Sequence, residues 1–242
     1  MVTLYMNLMS QPARACMLFC RINCLKVEEY QINLAAGQTR SQDFRKMNPL
    51  GKIPCLKDGD FVVSESAAIM RYLAQVNEVP DHWYPRDPQE RARVNSALDW
   101  YHCSLRLPAI MLTWYVVGQT MQPTVKLLSV NDRSAKRQLA VLKDTLKIME
   151  GFYLAGRDFV AGDHISIADL LYSCELDELQ LLDSVEQLPT FEELLEPFPK
   201  VRAWMNRVAE TTEPHWTAVT AVLQKVVKRG RERRQQIISS KL

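Results

Sequence analysis

The residues best placed to bind a charged small molecule stand together as Ser-Glu-Ser at positions 64–66. Apolar residues follow at helical spacing, so a capped amphipathic helix is predicted to begin near residue 65. The backbone N–H groups and the positive dipole end at such a helix N-terminus attract a carboxylate. The Glu65 side chain is placed to take a neighbouring ammonium. An α-amino acid carries both of these groups.

A turn and two short strands are predicted directly before that helix. Asp58-Gly59 is a strong hairpin signal, so the runs 55–57 and 61–63 are expected to pair. Pro54 stands at the entry to the first strand, where a residue without an N–H is tolerated. A cis bond there would turn the Ile53 backbone outward, where it could pair with an extended, peptide-like ligand.

Two motifs of the chain resemble those of the glutathione transferases. One is Asn-Pro-Leu-Gly-Lys-Ile-Pro at 48–54 followed by Glu65-Ser66, and the other is Met-Ser-Gln-Pro-Ala-Arg at 9–14. The Ser-Gln-Pro-x-Arg form is similar to that of the theta class, and the resemblance covers nearly the whole chain. It implies an α/β thioredoxin-like N-terminal domain followed by an all-α helical C-terminal domain, with glutathione as co-substrate.

The resemblance also implies how glutathione would be held. The bond before Pro54 should be cis, and the Ile53 backbone should pair with the cysteinyl part of glutathione. Glu65 and Ser66 should hold the γ-glutamyl end. Lys52 should bind the glycyl carboxylate, although a solvated surface lysine is the alternative.

Three glutamine or threonine residues complete the expected glutathione site. Gln11 follows the serine of the N-terminal motif. Gln38 and Thr39 lie in the loop before a predicted short helix, where the family has a second residue that binds the glycyl carboxylate. Animal theta-like members often carry a histidine at the position of Thr39, so the choice between these two residues stays open.

Ser10 is the candidate catalytic residue. It precedes a helix predicted from residue 11 or 12 to about residue 23, and a serine before a proline-started helix is usually an N-cap. The resemblance implies instead that its hydroxyl donates a hydrogen bond to the glutathione sulfur. That bond would lower the thiol pKa from ~8.5 toward neutrality. Tyr5 is the alternative, since other transferase classes use a tyrosine there, but a packed strand aromatic also explains it.

The remaining elements divide the chain into four parts. Strands at Val2–Met6 and 29–34, a helix at 41–47 and the elements above predict a thioredoxin-like domain over 1–78. A linker with two prolines follows at 79–87. Residues 88–226 are predicted to form the all-helical, electrophile-binding domain, and 227–242 a basic tail. The predicted helices are 91–117 with a kink at Pro108, 132 or 134 to 156, 166–182, 200–212 and 215–228.

Three features of the helical domain carry predictions. Arg106 matches a family position that can reach the ligand, but its residue type and position favour a surface or interdomain salt bridge instead. Ser166 and Asp169 form a capping arrangement, so Asp169 is expected to be buried and structural rather than catalytic. The resemblance implies that the last helix roofs the active site.

Composition excludes several classes of protein. The chain has 242 residues, 47% hydrophobic and 24% charged, with a net charge of +2, so it is expected to be a soluble globular protein without a nucleic-acid partner. It has no apolar run of eighteen residues and no signal-peptide pattern, so we expect no membrane association. The six cysteines form no Cys-x-x-Cys and are expected as free thiols, with Cys16, Cys20 and Cys24 on one helix face. No spacing of histidines or cysteines predicts a metal site.

The C-terminus carries a predicted targeting signal. Ser240-Lys241-Leu242 is a peroxisomal signal, so the protein is expected in peroxisomes as well as the cytoplasm, with the import receptor as a partner. The basic run 228–236 before it could instead be a nuclear localisation signal or a nucleic-acid-binding segment. Its length predicts a flexible end.

These expectations combine into one hypothesis and two alternatives. The hypothesis is a homodimeric theta-like transferase that delivers glutathione thiolate to a small hydrophobic electrophile or an organic hydroperoxide. A ligand-binding or scaffold protein of the same fold would lack turnover. A thiol-disulfide oxidoreductase would need a cysteine near residue 10, and Cys16 is the nearest. The sequence leaves the preferred electrophile open.

Overall fold

Four strands form a mixed sheet in the N-terminal domain of the structure, a computed structural model that describes residues 1–120 and 131–240. The strands are β1 (Val2–Met6), β2 (Val27–Gln31), β3 (Cys55–Asp58) and β4 (Phe61–Ser64). They lie in the order β2-β1-β3-β4, with β2 parallel and β3 antiparallel to β1.

β3 and β4 form the predicted hairpin. Asp58 pairs with Phe61 across the two-residue loop Gly59-Asp60. Gly59 has a φ of +58°, a conformation that glycine adopts without steric cost.

β2 lies nearer the N-terminus than the predicted run 29–34. It pairs in parallel with β1, so that Val27 lies opposite Val2 and Gln31 opposite Met6. Both strands have five residues, and they pair over their whole length.

Different helices cover the two faces of the sheet. The N-terminal helices are α1 (Gln11–Ile22), α2 (Gln42–Met47) and α3 (Ser66–Val76). Leu4 and Met6 are fully buried in the core with α1 and α3. Tyr5 points to the opposite face, as strand alternation requires, and packs with Phe44 of α2. This β-α-β-α-β-β-α order confirms the predicted thioredoxin-like domain.

The linker between the two domains packs against the hydrophobic core. Its 3₁₀ turn Asp81–Trp83 places the Trp83 ring edge-on to Phe19 of α1, with ring centroids 5.8 Å apart. Helices then follow to the end of the described chain, which confirms the helical C-terminal domain. They are α4 (Pro88–Trp100), a π-helical turn (Tyr101–Arg106), α5 (Leu107–Thr120), α6 (Asp132–Ile148), a second π-helical turn (Met149–Tyr153), α7 (Ile167–Glu178), a 3₁₀ segment (Leu179–Ser184), α8 (Phe191–Leu195), α9 (Pro199–Thr212) and α10 (His215–Ser239).

The kink expected at Pro108 takes the form of the π-helical turn Tyr101–Arg106 just before it. Proline has no N–H to donate to the carbonyl of residue 104, four positions earlier. The Ser104 carbonyl instead accepts a hydrogen bond of 2.8 Å from the Thr145 hydroxyl of α6. A neighbouring helix therefore satisfies the backbone group that the proline frees.

α7 forms the centre of the helical domain, and every residue from Ile167 to Glu178 is buried. The predicted capping box is present, because the Ser166 backbone N–H donates to the Asp169 carboxylate at 2.9 Å. The backbone N–H of Val160 and the indole N–H of Trp204 also donate to Asp169. Asp169 is thus buried and structural, as predicted.

The expectation of a flexible end after residue 228 is wrong for the described residues, because α10 continues as a helix to Ser239. Two contacts hold this extension against the 3₁₀ segment. Gly230 lies so close to Ser184 that an added Cβ would come within 1.9 Å of its hydroxyl oxygen. The Arg231 Nε lies 2.7 Å from an Asp183 carboxylate oxygen. The predicted boundary at 226/227 therefore falls inside α10.

In the part of the chain that the structure describes, no helix is long and apolar enough to cross a membrane. Residues 241–242, on which the predicted peroxisomal signal depends, lie outside the described residues.

Candidate glutathione site

A cavity of about 220 Å³ lies between the N-terminal domain and the π-helical turn that follows α4. Six of its lining residues belong to the predicted glutathione site, and one of the six is Arg106. The full set is Pro12, Lys52, Ile53, Pro54, Ser64, Glu65, Ser66, Tyr101, His102 and Arg106.

The N-terminus of α3 supplies the first wall. Glu65 is the residue that precedes α3, and its φ is +70°. A positive φ is uncommon for a residue other than glycine, and such strained positions cluster at functional sites. Ser66 follows as the first helical residue and is 4% exposed. Glu65 and Ser66 therefore both line the cavity at the N-terminus of α3.

The loop before β3 completes this wall. The Ile53–Pro54 peptide bond is cis, as the resemblance implied. The Asn48 side-chain amide donates a 2.8 Å hydrogen bond to the Lys52 carbonyl and holds the loop in place. The Lys52 side chain is exposed, and it makes no ion pair with any residue in the two described ranges.

The other predicted glutathione contacts do not line the cavity. Gln38 uses its side-chain oxygen to accept a hydrogen bond from the Asn33 backbone N–H at 2.8 Å. Thr39 approaches the loop through its carbonyl oxygen, 3.1 Å from where a Cβ on Gly51 would lie. Gln11 is 3% exposed, and its side-chain nitrogen has no hydrogen-bond partner among the described residues.

Ser10 stands at the N-terminus of α1, but its hydroxyl does not cap that helix. Its backbone N–H donates to the Asn7 carbonyl at 2.9 Å, and its own carbonyl accepts from the Arg14 backbone N–H at 2.9 Å. The cavity lining includes Pro12 of the same turn rather than Ser10 itself. The N-cap explanation of Ser10 thus fails for its side chain and leaves the hydroxyl available.

Tyr5, the alternative hydroxyl, belongs to a different cluster. Its ring packs against Tyr30 and Phe44, at centroid distances of 5.1 and 6.2 Å. Burial is the main cause that raises the pKa of Tyr5. A packed strand aromatic therefore accounts for this residue.

The π-helical turn supplies the opposite wall. Arg106 donates to the Glu175 carboxylate of α7 at 2.6 Å, and Tyr101 donates to the same oxygen at 2.6 Å. Burial raises the pKa of Glu175, and the Arg106 guanidinium acts against that rise. Burial also raises the pKa of Tyr101 well above its usual value, so Tyr101 stays protonated and donates. Arg106 and Glu175 both belong to the helical domain, so the expected surface or interdomain salt bridge does not form.

Two family models match the chain: the glutathione S-transferase N-terminal domain at residues 1–75 and the C-terminal domain at residues 105–211. Glutathione S-transferase T1 of Arabidopsis thaliana is 38% identical over 236 residues, which cover 96% of this chain and 93% of that protein. The chain belongs to the glutathione S-transferase family. The human theta-1 enzyme is 38% identical over 205 residues, 85% of this chain and 81% of that one.

A solved structure agrees with this assignment. Human glutathione transferase theta-2, crystallised with glutathione, is 31% identical, has a TM-score of 0.83, and is matched over 96% of this chain and 91% of that one. These relatives confirm the theta-class resemblance. Glutathione S-transferase T2 of Arabidopsis thaliana is 37% identical over 98% of this chain, but the chain spans only 39% of that relative's length.

Sequence reasoning missed part of the cavity. Ser64, Tyr101 and His102 also line it, and Glu175 holds the side chain of Arg106. A signal existed for Glu175, which is an acidic residue inside the apolar run that follows the Ser166–Asp169 capping box. Its partner could not be read from the chain, because the two residues are 69 positions apart.

The cysteines of the chain do not favour an oxidoreductase. Cys16 is fully buried, and burial raises its thiol pKa well above the usual value, so a reactive thiolate is not expected there. Cys20 is also buried, whereas Cys24 lies beyond the end of α1 and is exposed, so the expected three-cysteine helix face contains two. Among the described residues, no three potential ligands are grouped so that they could hold a metal ion.

Proposed function

We propose that this protein is an active glutathione transferase that binds glutathione in the cavity, ionises its thiol and transfers the sulfur to an electrophile. The observation that carries the proposal is the strained Glu65 beside Ser66 at the start of α3, opposite Arg106 across the cavity. A protein that served only as a scaffold would not need a positive φ at a carboxylate facing an open cavity.

Each part of glutathione has a complementary group. The γ-glutamyl carboxylate accepts hydrogen bonds from the Ser66 hydroxyl and the first N–H groups of α3, and the ammonium pairs with Glu65. The cysteinyl part pairs with the Ile53 backbone at the cavity edge. Lys52, which has no protein ion pair among the described residues, binds the glycyl carboxylate with help from Gln38 or Thr39.

Ser10 acts on the sulfur. Its hydroxyl is free of a capping bond, and it stands where the positive end of the α1 dipole favours an anion. A hydrogen bond from this hydroxyl stabilises the thiolate, while the thiol proton leaves to water. The buried Gln11 amide nitrogen, which has no hydrogen-bond partner in the described part of the chain, is a second donor close to the same place.

The second substrate enters on the side of Arg106. With an organic hydroperoxide, the thiolate attacks one oxygen, the O–O bond breaks, and the departing alkoxide takes a proton from water. The glutathione sulfenic acid then condenses with a second glutathione to give the disulfide and water. A small cavity suits this reaction, which needs no large aromatic pocket. We therefore expect reduction of cumene hydroperoxide to exceed conjugation of 1-chloro-2,4-dinitrobenzene.

A panel assay of the purified protein tests the activity. Turnover is measured with glutathione and cumene hydroperoxide, an alkyl halide or 1-chloro-2,4-dinitrobenzene, with Ser10→Ala as the matched variant. The proposal expects glutathione-dependent turnover with at least one substrate, and less in the variant. Glutathione binding by calorimetry without turnover on any substrate would instead support the scaffold alternative. A ranking with the aromatic chloride first would contradict the hydroperoxide preference alone.

We propose two further properties of the whole protein. Its Ser240-Lys241-Leu242 end directs part of it into peroxisomes through the import receptor. A fluorescent protein fused to the N-terminus should mark peroxisomes, whereas the same fusion without the last three residues should stay diffuse. Nuclear signal from both fusions would show that the basic run dominates. The protein is also proposed to be a homodimer, which light scattering after size exclusion would test.

A further inference from the structure

Arg14 is a fully buried arginine four residues after Ser10, and it contacts the Ser10 segment twice. Its backbone N–H donates to the Ser10 carbonyl at 2.9 Å. Its guanidinium Nη1 reaches back and donates to the Leu8 carbonyl at 2.8 Å. The side chain therefore holds the loop 8–10 against α1 by satisfying the Leu8 carbonyl, which lies before the start of the helix.

The other arm of the guanidinium crosses to the helical domain. Nη2 donates to the Glu178 carboxylate at 2.8 Å and to the Cys174 carbonyl at 3.1 Å, both on α7. The Glu178 side chain is only 3% exposed. α7 is itself fixed by its capping box, so Arg14 ties the Ser10 segment to a rigid part of the other domain.

Asn7 holds the same segment from the opposite side. Its side-chain oxygen accepts from the Met9 backbone N–H at 2.9 Å, and its side-chain nitrogen donates to the Ile32 carbonyl at 2.8 Å. Residues 7–10 are thus fixed between the sheet edge and α7. A side chain that must meet a sulfur within hydrogen-bond distance needs this kind of support from the residues behind it.

Stability alone does not explain a buried ion pair. Removing two charges from water costs as much as their attraction returns, and apolar residues of similar volume usually stabilise a core at least as well. A buried pair does fix orientation, because the planar guanidinium bonds its partners only in one geometry. Here that geometry determines where the backbone of residues 8–10 lies.

We propose that Arg14 and Glu178 are positioning residues for the Ser10 hydroxyl, an inference that rests on the proposed role of Ser10. They place the hydroxyl where it meets the glutathione sulfur, and they act through the Leu8 and Ser10 carbonyls without touching the substrate. Loss of the pair shifts the hydroxyl, weakens its bond to the thiolate and raises the thiol pKa of bound glutathione.

Three variants test this inference with the full-length protein. Glu178→Gln keeps the volume and removes the charge. Arg14→Lys keeps the charge, but its single ammonium cannot bond Leu8 and Glu178 as the forked guanidinium does. The double variant Arg14→Met with Glu178→Leu removes both charges of the pair, so neither partner is left as an unpaired ion if the single variants fold poorly.

The readouts separate positioning from folding. The thiol pKa of bound glutathione is measured from thiolate absorbance, glutathione affinity by calorimetry, and kcat across pH. We expect the thiol pKa to rise by about half a unit to one unit, with affinity within about twofold of wild type. kcat should fall about three- to tenfold near neutral pH and recover once the thiol is ionised at higher pH.

A matched control comes from the same helix. Arg21 of α1 pairs with Glu29 through two hydrogen bonds of 2.6 and 2.7 Å, far from the Ser10 loop. Glu29→Gln should leave the thiol pKa unchanged. If the double variant is folded and keeps the wild-type thiol pKa while Ser10→Ala raises it, the positioning inference is overturned and the role of Ser10 stands. If Ser10→Ala itself leaves the thiol pKa unchanged, the role proposed for Ser10 fails, and the positioning inference falls with it.

Discussion

The two walls of the cavity are built in different ways. The α/β wall presents an exposed Lys52 and Glu65, held in place by the backbone conformation of the loop before β3 and the start of α3. The helical wall presents Arg106, whose side chain is held by the fully buried Glu175. On the first wall the side chains are free to meet a ligand, and on the second the arginine is already paired before a ligand arrives. Substitutions on the two walls should therefore separate binding from stability.

The largest effect is expected behind the helical wall. Glu175→Ala leaves the Arg106 guanidinium and the buried Tyr101 hydroxyl without their acceptor, which should lower the free energy of unfolding by about 2–4 kcal/mol. Urea denaturation followed by circular dichroism measures the change. Glu65→Ala on the exposed wall is the control and should cost no more than about 0.5 kcal/mol. Equal losses in both variants would remove the distinction between the walls.

The next effect concerns glutathione affinity on the α/β wall. Glu65→Ala removes the partner of the γ-glutamyl ammonium, and Ser66→Ala removes a hydrogen bond to the carboxylate. Each should weaken binding by ~1.5–3 kcal/mol, the range for hydrogen bonds to charged groups. Isothermal titration measures the loss. Unchanged affinity in both variants would place the glutathione site elsewhere.

A pH dependence should mark the buried acids of α7. Burial raises the pKa of Asp177 to about 6, although Arg14 acts against the rise. The native state therefore binds this proton more tightly than the unfolded chain, so the Asp177 contribution to stability is lost as pH rises through about 6. Asp177→Asn should be more stable than wild type by about 1–2 kcal/mol above that pH, with the gap closing near pH 4.

Urea denaturation at a series of pH values from about 4 to about 8 measures the difference in stability between Asp177→Asn and wild type. A constant gap for Asp177→Asn from acid to neutral pH would show that its carboxyl does not titrate as described.

The smallest effect is expected for Tyr5→Phe. The Tyr5 ring packs with Tyr30 and Phe44 on the sheet face away from α1, so loss of its hydroxyl should leave kcat within about twofold of wild type. Steady-state assays with the best substrate of the panel measure it. A larger loss would bring the face that carries Tyr5 into the chemistry.

The contrast between the walls also explains which features the sequence could predict. The hairpin, the position where α3 starts and the Ser166–Asp169 capping box are all predicted, because each depends on residues close together in the chain. The side-chain cap expected for α3 does not form, since Glu65 makes no capping hydrogen bond. Local motifs of this kind determine backbone conformation directly.

Features that depend on distant partners could not be predicted. In the π-helical turn before Pro108, the Ser104 carbonyl takes its hydrogen bond from Thr145, a residue of another helix. The extension of α10 depends on the fit of Gly230 against Ser184. Each partner lies on another helix, and no local pattern in the sequence indicates such a pairing.

The central claim is that Ser10 ionises bound glutathione, and an ultraviolet titration of thiolate absorbance tests it most directly. Wild-type protein should bind glutathione with a thiol pKa well below ~8.5, the value of a free cysteine. Ser10→Ala should still bind glutathione, but the thiol pKa of the bound glutathione should rise. The variant loses one hydrogen bond to the thiolate, worth ~1.5–3 kcal/mol, so turnover near neutral pH should fall about 10- to 150-fold. An unchanged thiol pKa and full turnover in Ser10→Ala, beside a Tyr5→Phe protein that has lost both, would contradict the account and assign the chemistry to Tyr5.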